Sequence, residues 1–258
     1  MSESILFEKK GHIAKITFNR PEVYNCLNRE AALRLQALIR ECDSDDAIRV
    51  IYITGTGKAF GAGQDLNEIQ EGKIALEKIV EEHYNPIVLS IYNSPKIVVA
   101  AVNGVAAGAS ANIALICDMT IAAESASFIQ AFSKIGLIPD SGGTFVLPRL
   151  VGFQKALGLA LTGDKVKADE AERLGMIYKV LPDEGFAEAS WTMAEKLAAL
   201  PPLGLRYTKA LYNKGICNNL KDQLDLEQEY QVKAGNTEDY HECVQAFLEK
   251  RKPVIKGR

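Results

Sequence analysis

The sequence predicts an α/β fold: a spiral core of strands and helices followed by a helical C-terminal region. Three observations carry this. Ile48–Thr54 and Ile97–Val102 are almost continuously apolar, the pattern of parallel strands buried on both faces. The N-terminus alternates like a hairpin. Beyond about Phe153 helical spacing dominates, and no Pro-, Gly- or Ser-rich linker separates the two parts. We therefore expect one continuous domain, with the core over residues 1–200 and the helical region over 201–258.

The elements follow in order. Ile5-Leu6-Phe7 and Ile13–Phe18 are β-rich runs around Lys10-Gly11, which supplies the turn. Asn28 is placed to cap a helix from Arg29 to Cys42, where Ala32, Leu35, Leu38 and Ile39 share a face. Strand Ile48–Thr54 leads into a Gly-rich loop, Gly55 to Leu66, and a helix over Ile74–Tyr92. Strand Ile97–Val102 ends in the turn pair Asn103-Gly104. The small residues Val105–Asn112 open a helix that runs through Leu115. Strand Met119–Ala122, an extended piece near Phe128 and the loop Ile135–Gly143 follow. Helices are then predicted over Gln154–Leu161, Ala168–Leu174, Glu184–Leu200, Leu203–Lys214, Leu220–Ala234 and Asp239–Lys250, with one strand at Ile177–Leu181.

Composition narrows the function. Of 258 residues, 47% are hydrophobic and 24% charged, which excludes disordered, collagen-like and coiled-coil chains. Lys+Arg is 30 against 33 Asp+Glu, a net charge of -3, so no global basic charge recruits nucleic acid. Five cysteines with no C-x-x-C pair read as reduced, mostly buried thiols in a cytosolic protein. The three His share no ligand spacing, so no metal site is expected. The N-terminus lacks an apolar h-region and is not a signal peptide. The longest apolar stretch, Ile97–Ile116, is broken by Asn103-Gly104 and Gly108, so no membrane span is expected. The expectation is a soluble, cytoplasmic protein.

Two nucleotide motifs fail. Gly61-Ala62-Gly63 has Leu66 where G-x-G-x-x-G needs its third glycine. Gly57-Lys58 is followed by Ala59 instead of the Ser/Thr of a P-loop. What remains is small-residue backbone that a ligand approaches closely, or a tight strand-to-helix turn. Gly104–Asn112 is a second such segment. Two of them after parallel strands are able to aim two N–H groups at one developing oxyanion; dense packing is the plain alternative. Ser110 lacks the G-x-S-x-G elbow, since Asn112 stands in the fifth position, and reads as a packing residue. Asp140, between Pro139 and Ser141-Gly142-Gly143, fits a helix N-cap. Facing an apolar cavity walled by Phe128, Phe132, Ile135, Leu137, Ile138 and Phe145, it would instead shuttle protons. The basic tail Lys250–Arg258 is either a solvated terminus or a contact for phosphates.

Together these segments resemble the crotonase (enoyl-CoA hydratase/isomerase) superfamily across essentially the whole chain. The resemblance rests on Asn19-Arg20-Pro21, Gly57–Leu66, Val102–Gly108, Cys117-Asp118 and Leu161-Thr162-Gly163. It implies a ClpP-like spiral of ββα repeats with a C-terminal helical trimerisation region, assembling homotrimers or hexamers. It implies an acyl-CoA thioester substrate, with coenzyme A as part of the substrate and no separate cofactor. By motif position, the oxyanion amides fall on Ala62 and Ala109. Tyr24, Gln64, Asp65 and Leu66 fall where the family holds the CoA moiety, with Gly108 and Asn112 beside them.

Hydratases of the family carry acids where this chain has Asn112 and Phe132. Their absence argues against two-carboxylate hydration. Ala126–Thr144, Gly108–Asn112, Tyr84-Asn85-Pro86 and Leu147–Gly152 are similar to the branch that isomerises ring 1,2-epoxyphenylacetyl-CoA. That resemblance implies Asp140 as the acid–base. A double-bond shift needs one group to remove a proton and return it, and a single carboxylate serves. Tyr84, Phe132 and Ile138 are candidate acyl-pocket walls, or plain core. The expected activity is oxepin-CoA formation from the epoxide, a Δ3-to-Δ2 enoyl shift, or both. A hydratase is one alternative, and a non-catalytic acyl-CoA- or RNA-binding scaffold is another.

Overall fold

The computed structural model describes residues 3–70 and 75–258. The hairpin forms as expected, β1 (Ile5–Lys10) pairing antiparallel with β2 (Ile13–Phe18), and Gly11 takes the left-handed turn conformation at φ 58°. Helix α1 (Arg29–Ser44) starts where Asn28 Oδ1 accepts from the Ala31 N–H at 2.9 Å. It buries Ala32, Leu35, Leu38 and Ile39 against the sheet.

Three ββα repeats follow, and each divides its strands between two sheets. Strands β3 (Val50–Gly55), β5 (Ile97–Val102) and β7 (Met119–Ala123) enter the larger sheet, ordered β1-β2-β3-β5-β7-β10 with β10 at Lys179–Leu181. Strands β4 (Ala59–Gly61), β6 (Val105–Ala107) and β8 (Ser127–Ile129) enter the smaller sheet, ordered β4-β6-β8-β9 with β9 at Lys165–Lys167. Each repeat advances one position in both sheets, which produces the spiral. All of β5 is buried, matching its unbroken apolar sequence. Strands β4, β6 and β9 were not distinguishable from loop in the sequence, because three residues are too short for alternation to show.

The helix expected over Ile74–Tyr92 begins outside the described residues at Ile74. A short α2 (Leu66–Gln70) precedes it. The described part runs α3 (Leu76–Lys78), a π-turn at Ile79–Tyr84, and α4 (Asn85–Asn93). Pro86 has no N–H for the Glu82 carbonyl four residues back. Gln36 Nε2 takes up that carbonyl at 2.7 Å and the His83 carbonyl at 3.1 Å, holding the widened turn. Helix α5 (Ala109–Leu115) follows β6 directly.

The rest is largely helical: α6 (Gly143–Val151), α7 (Phe153–Thr162), α8 (Ala168–Arg173), α9 (Phe186–Ala198), α10 (Pro202–Gly215), α11 (Leu220–Gly235) and α12 (Glu238–Leu248). Lys209 fastens α10 to the core, its Nζ donating to Asp118 Oδ2 at 2.8 Å and to the Ile91 and Lys96 carbonyls. The basic tail is not a free terminus. Asp239 accepts from the Lys256 and Gly257 N–H groups at 2.7 and 2.8 Å, and Arg49 donates to the Ile255 carbonyl. Of the five unpaired cysteines only Cys42 and Cys117 are buried, fewer than expected.

Candidate active site

The two small-residue segments meet because β4 and β6 are parallel neighbours, with Gly61 opposite Ala106. The chain leaves both strands at the same end. Gly63 (φ 86°) lies against the start of α5, so a Cβ there would stand 3.2 Å from the Ala107 carbonyl and 3.4 Å from the Ala109 nitrogen. Ser110, fully buried, pins the contact by accepting from the Gly63 N–H at 3.1 Å. A Cβ on Gly61 would fall 2.5 Å from the Ser110 Oγ. Ser110 is thus the packing residue expected. Among the described residues no His hydrogen-bonds to it, and His241 is on α12.

Which amides are available is set by tertiary pairing. The Ala62 N–H is already donated to the Tyr24 carbonyl at 3.0 Å, which corrects the expectation that it faces a ligand. Leu27 bridges the loop by donating to the Gly63 carbonyl at 2.7 Å and accepting from the Asp65 N–H at 3.0 Å. This leaves the Gln64 N–H between them. Among the described residues, the Gln64 and Ala109 N–H groups have no acceptor. Each follows a left-handed glycine, Gly63 (φ 86°) or Gly108 (φ 54°). That shared Gly-X step was the sequence signal for Gln64.

The third segment carries Asp140. Asp140 is not the helix cap: Gly142 takes that position before α6, and Asp140 contributes its carbonyl to the Gly143 N–H at 2.8 Å. Ser141 and Gly142 are both left-handed, at φ 51° and 76°. The Asp140 side chain is half-buried, and its Oδ1 accepts from the Ser141 hydroxyl at 2.9 Å. Burial pushes its pKa above the ordinary carboxylate value, against the opposing Ser141 hydrogen bond. Of the apolar surroundings expected for it, Phe128 and Phe132 are buried, whereas Ile135, Ile138 and Phe145 are exposed.

Two expected ligand contacts are engaged inside the chain. Asn112 is fully buried: its Nδ2 donates to the Asp140 carbonyl at 2.9 Å and its Oδ1 accepts from Gln130 Nε2 at 2.8 Å. It presents no surface to a substrate. Asp65 is buried, its Oδ2 paired with Arg20 at 2.8 Å and its Oδ1 accepting from the Asn67 N–H, so it shapes the loop. Tyr84 is also buried, and its hydroxyl donates to Gln64 Oε1 at 2.7 Å. Desolvation raises its pKa, with the Asp140 charge the next contribution.

Phe132 is buried with its ring edge 3.9 Å from where a Gly108 Cβ would sit. Tyr24 (57% exposed), Leu66 (48%) and Ile138 (80%) reach solvent. A cavity of about 190 Å³ shares Pro139 and Gly143, the residues flanking the Asp140 loop, and is otherwise lined mainly by Leu147, Phe153, Ala156 and Leu157. Tyr84, Phe132 and Ile138, the expected pocket walls, do not line it. Among the described residues no three His, Cys, Asp or Glu side chains gather as a metal ion requires, and no helix is long and apolar enough to cross a membrane.

Known proteins place this geometry in context. The enoyl-CoA hydratase/isomerase family model matches residues 8–258. The chain is 45% identical to the 1,2-epoxyphenylacetyl-CoA isomerase of Escherichia coli K12, with 100% of both chains covered. It is 44% identical to a "Probable enoyl-CoA hydratase" of Rhodobacter capsulatus, covering 99% of this chain and 98% of that one. The crystal structure of an enoyl-CoA hydratase from Bacillus anthracis superposes with a TM-score of 0.92 at 34% identity, over 99% of this chain and 100% of that one.

Proposed function

The chain belongs to the enoyl-CoA hydratase/isomerase family, and from that membership we propose that this enzyme of CoA thioesters is an isomerase working through Asp140. The observation that carries this is a single carboxylate, raised by burial, on the loop tied through Asn112 to the helix that presents the Ala109 amide. The Gln64 and Ala109 amides, which have no acceptor among the described residues, hold the thioester oxygen. The Asp140 carboxylate takes a proton from the carbon beside the carbonyl. Negative charge moves to the thioester oxygen, where the two N–H groups stabilise it. The same carboxyl returns the proton two carbons farther on, converting a Δ3 to a Δ2 enoyl thioester. Proton and electrons balance, so no separate cofactor is required.

For the acyl group we propose ring 1,2-epoxyphenylacetyl-CoA, rearranged to oxepin-CoA. The full-length identity to a protein of that name supports it. Tyr24 and Leu66, exposed at the loop mouth, are proposed to cover the CoA moiety, with Gly108 giving its backbone close approach. The hydratase reading is weakened because Asn112 is fully engaged and Phe132 carries no acid.

Helices α10 and α11 bury none of their residues within the chain, while Tyr212, Leu220 and Phe247 are largely exposed. That unspent apolar surface supports a homotrimer or a hexamer. Free thiols support a cytoplasmic setting.

The test is turnover. Purified protein is given a 3-enoyl-CoA, crotonyl-CoA and the ring epoxide, alongside Asp140→Asn. Isomerisation that disappears in the variant is expected. Hydration surviving Asp140→Asn, with no isomerisation, overturns the proposal.

A further inference from the structure

Asn112 stands inside the molecule with every polar atom of its side chain directed. The Asp140 carbonyl only accepts, so Asn112 must turn its Nδ2 toward it, at 2.9 Å. Its Oδ1 therefore faces Gln130, which must present Nε2, at 2.8 Å. Flipping either amide would set two donors or two acceptors against each other. Gln130 is itself buried, and among the described residues its Oε1 has no partner, so the chain of bonds is directional and ends there. Gly143, the first residue of α6, leaves no room for a side chain because Asn112 occupies that space.

The placement matters more than the bonds alone. Asn112 follows Ala109 by three residues on α5, so both lie on one face of one short helix. That helix presents the Ala109 amide at its start and grips the Asp140 loop one turn later. The loop needs gripping. Ser141 and Gly142 are consecutive left-handed residues, and a non-glycine residue in that region persists only where its surroundings hold it.

We propose that Asn112 is a positioning residue: through Gln130 and the Asp140 carbonyl it fixes the distance between the acid–base carboxylate and the oxyanion amide of Ala109. The inference rests on Asp140 being the acid–base. It gives position 112, where hydratases of the family are expected to hold an acid, a role in aiming the acid elsewhere.

The test uses the full-length enzyme with 3-hexenoyl-CoA, and deuterium uptake from D₂O into the acyl chain as a second readout of proton abstraction. Asn112→Leu should lower kcat and deuterium uptake by about 10- to 100-fold, with KM within about threefold, because a misplaced group costs rate more than binding. Asn112→Asp guards against a variant that fails to fold. Its neutral carboxyl donates to the Asp140 carbonyl and accepts from Gln130, so activity should recover toward acid pH. It should fall as that carboxyl ionises, giving a limb absent from the wild type. Gln130→Leu should act in the same direction with a smaller loss. A kcat for Asn112→Leu within about twofold of wild type overturns the positioning role, as does an Asn112→Asp profile parallel to that of the wild type. An active Asp140→Asn would instead defeat the reading on which it rests. An inactive Asp140→Asn beside a fully active Asn112→Leu defeats the positioning alone.

Discussion

The proposed site has two walls: an amide wall built from backbone and an acid wall that hangs on one side chain. On the first wall, the parallel pairing of β4 and β6 and the Leu27 bridge hold Gln64 and Ala109 through main-chain atoms, and the Ser110 hydroxyl adds one side-chain bond, accepted from the Gly63 N–H. Apart from that hydroxyl, side-chain identity matters there only where it takes up space. On the second wall, Asp140 sits on two left-handed residues and is steadied by its own neighbour Ser141 and by Asn112. The difference teaches where each wall fails: the amide wall to added bulk, the acid wall to the loss of a functional group.

The largest effect should come from the acid wall. Asp140→Asn keeps the shape and removes the base, so kcat for 3-enoyl-CoA isomerisation should fall by about 10²- to 10⁴-fold with KM little changed. A variant retaining half the wild-type rate removes Asp140 from the chemistry and leaves only the amide wall. Next comes bulk on that wall. Gly61→Ala places a Cβ 2.5 Å from the Ser110 Oγ and drives the loop from α5. A loss of about 10²-fold in kcat is expected, as for loss of one oxyanion donor. Adding Ser110→Gly should recover part of it, since the two sites share one space. No recovery in the double variant would mean that bulk against Ser110 is not the whole cause, and that the bond its hydroxyl accepts from the Gly63 N–H also sets the amides.

The two walls were unequally legible in the sequence. The glycine-and-alanine segments after apolar strands marked backbone open to a ligand or packed tightly, and Ala109 came from its motif position in the family resemblance. Ala62 was misassigned by two residues, because the Tyr24 carbonyl that occupies its amide belongs to a turn no local pattern reveals. Asn112 was read as a ligand contact for the same reason: its partners, Gln130 and Asp140, are 18 and 28 residues away. The larger sheet was legible because burial on both faces writes unbroken apolar runs. Strands β4, β6 and β9 were not, since three residues leave no period. Asp140 looked like a cap because a Pro-Asp-Ser-Gly-Gly run is what a cap looks like; only the fold decides that Gly142 takes that place.

A third prediction sets stability against function on the acid wall. Burial raises the Asp140 pKa above the ordinary value of about 3.9. Between that value and the raised one, the folded chain binds more protons than the unfolded chain. Its stability therefore falls as pH rises through the window, and the loss is complete above it. Asp140→Asn escapes this, so its Tm should exceed that of the wild type at neutral pH and converge with it below about pH 4. The acid limb of the wild-type kcat profile should lie in the same window. Thermal melts across pH that keep the two proteins parallel would place Asp140 in water and not in a desolvated site.

The smallest effect sharpens the comparison most. Tyr84 donates its hydroxyl to the Gln64 side chain, so Tyr84→Phe removes a buried hydrogen bond beside the amide wall without changing shape. If that wall is held by backbone, the anchor is dispensable to the amide. Leu27 still grips the loop on both sides of Gln64, and Gln64 Nε2 still reaches Glu68 at 3.1 Å. The variant should lose about 0.5–1.5 kcal/mol of stability in urea denaturation, the net worth of one such bond. Its kcat should stay within about threefold of wild type, well short of the loss that follows removal of an oxyanion donor. A fall of about tenfold or more, with stability unchanged, would show the Gln64 amide aimed by its side chain. The amide wall would then depend on a functional group as the acid wall does.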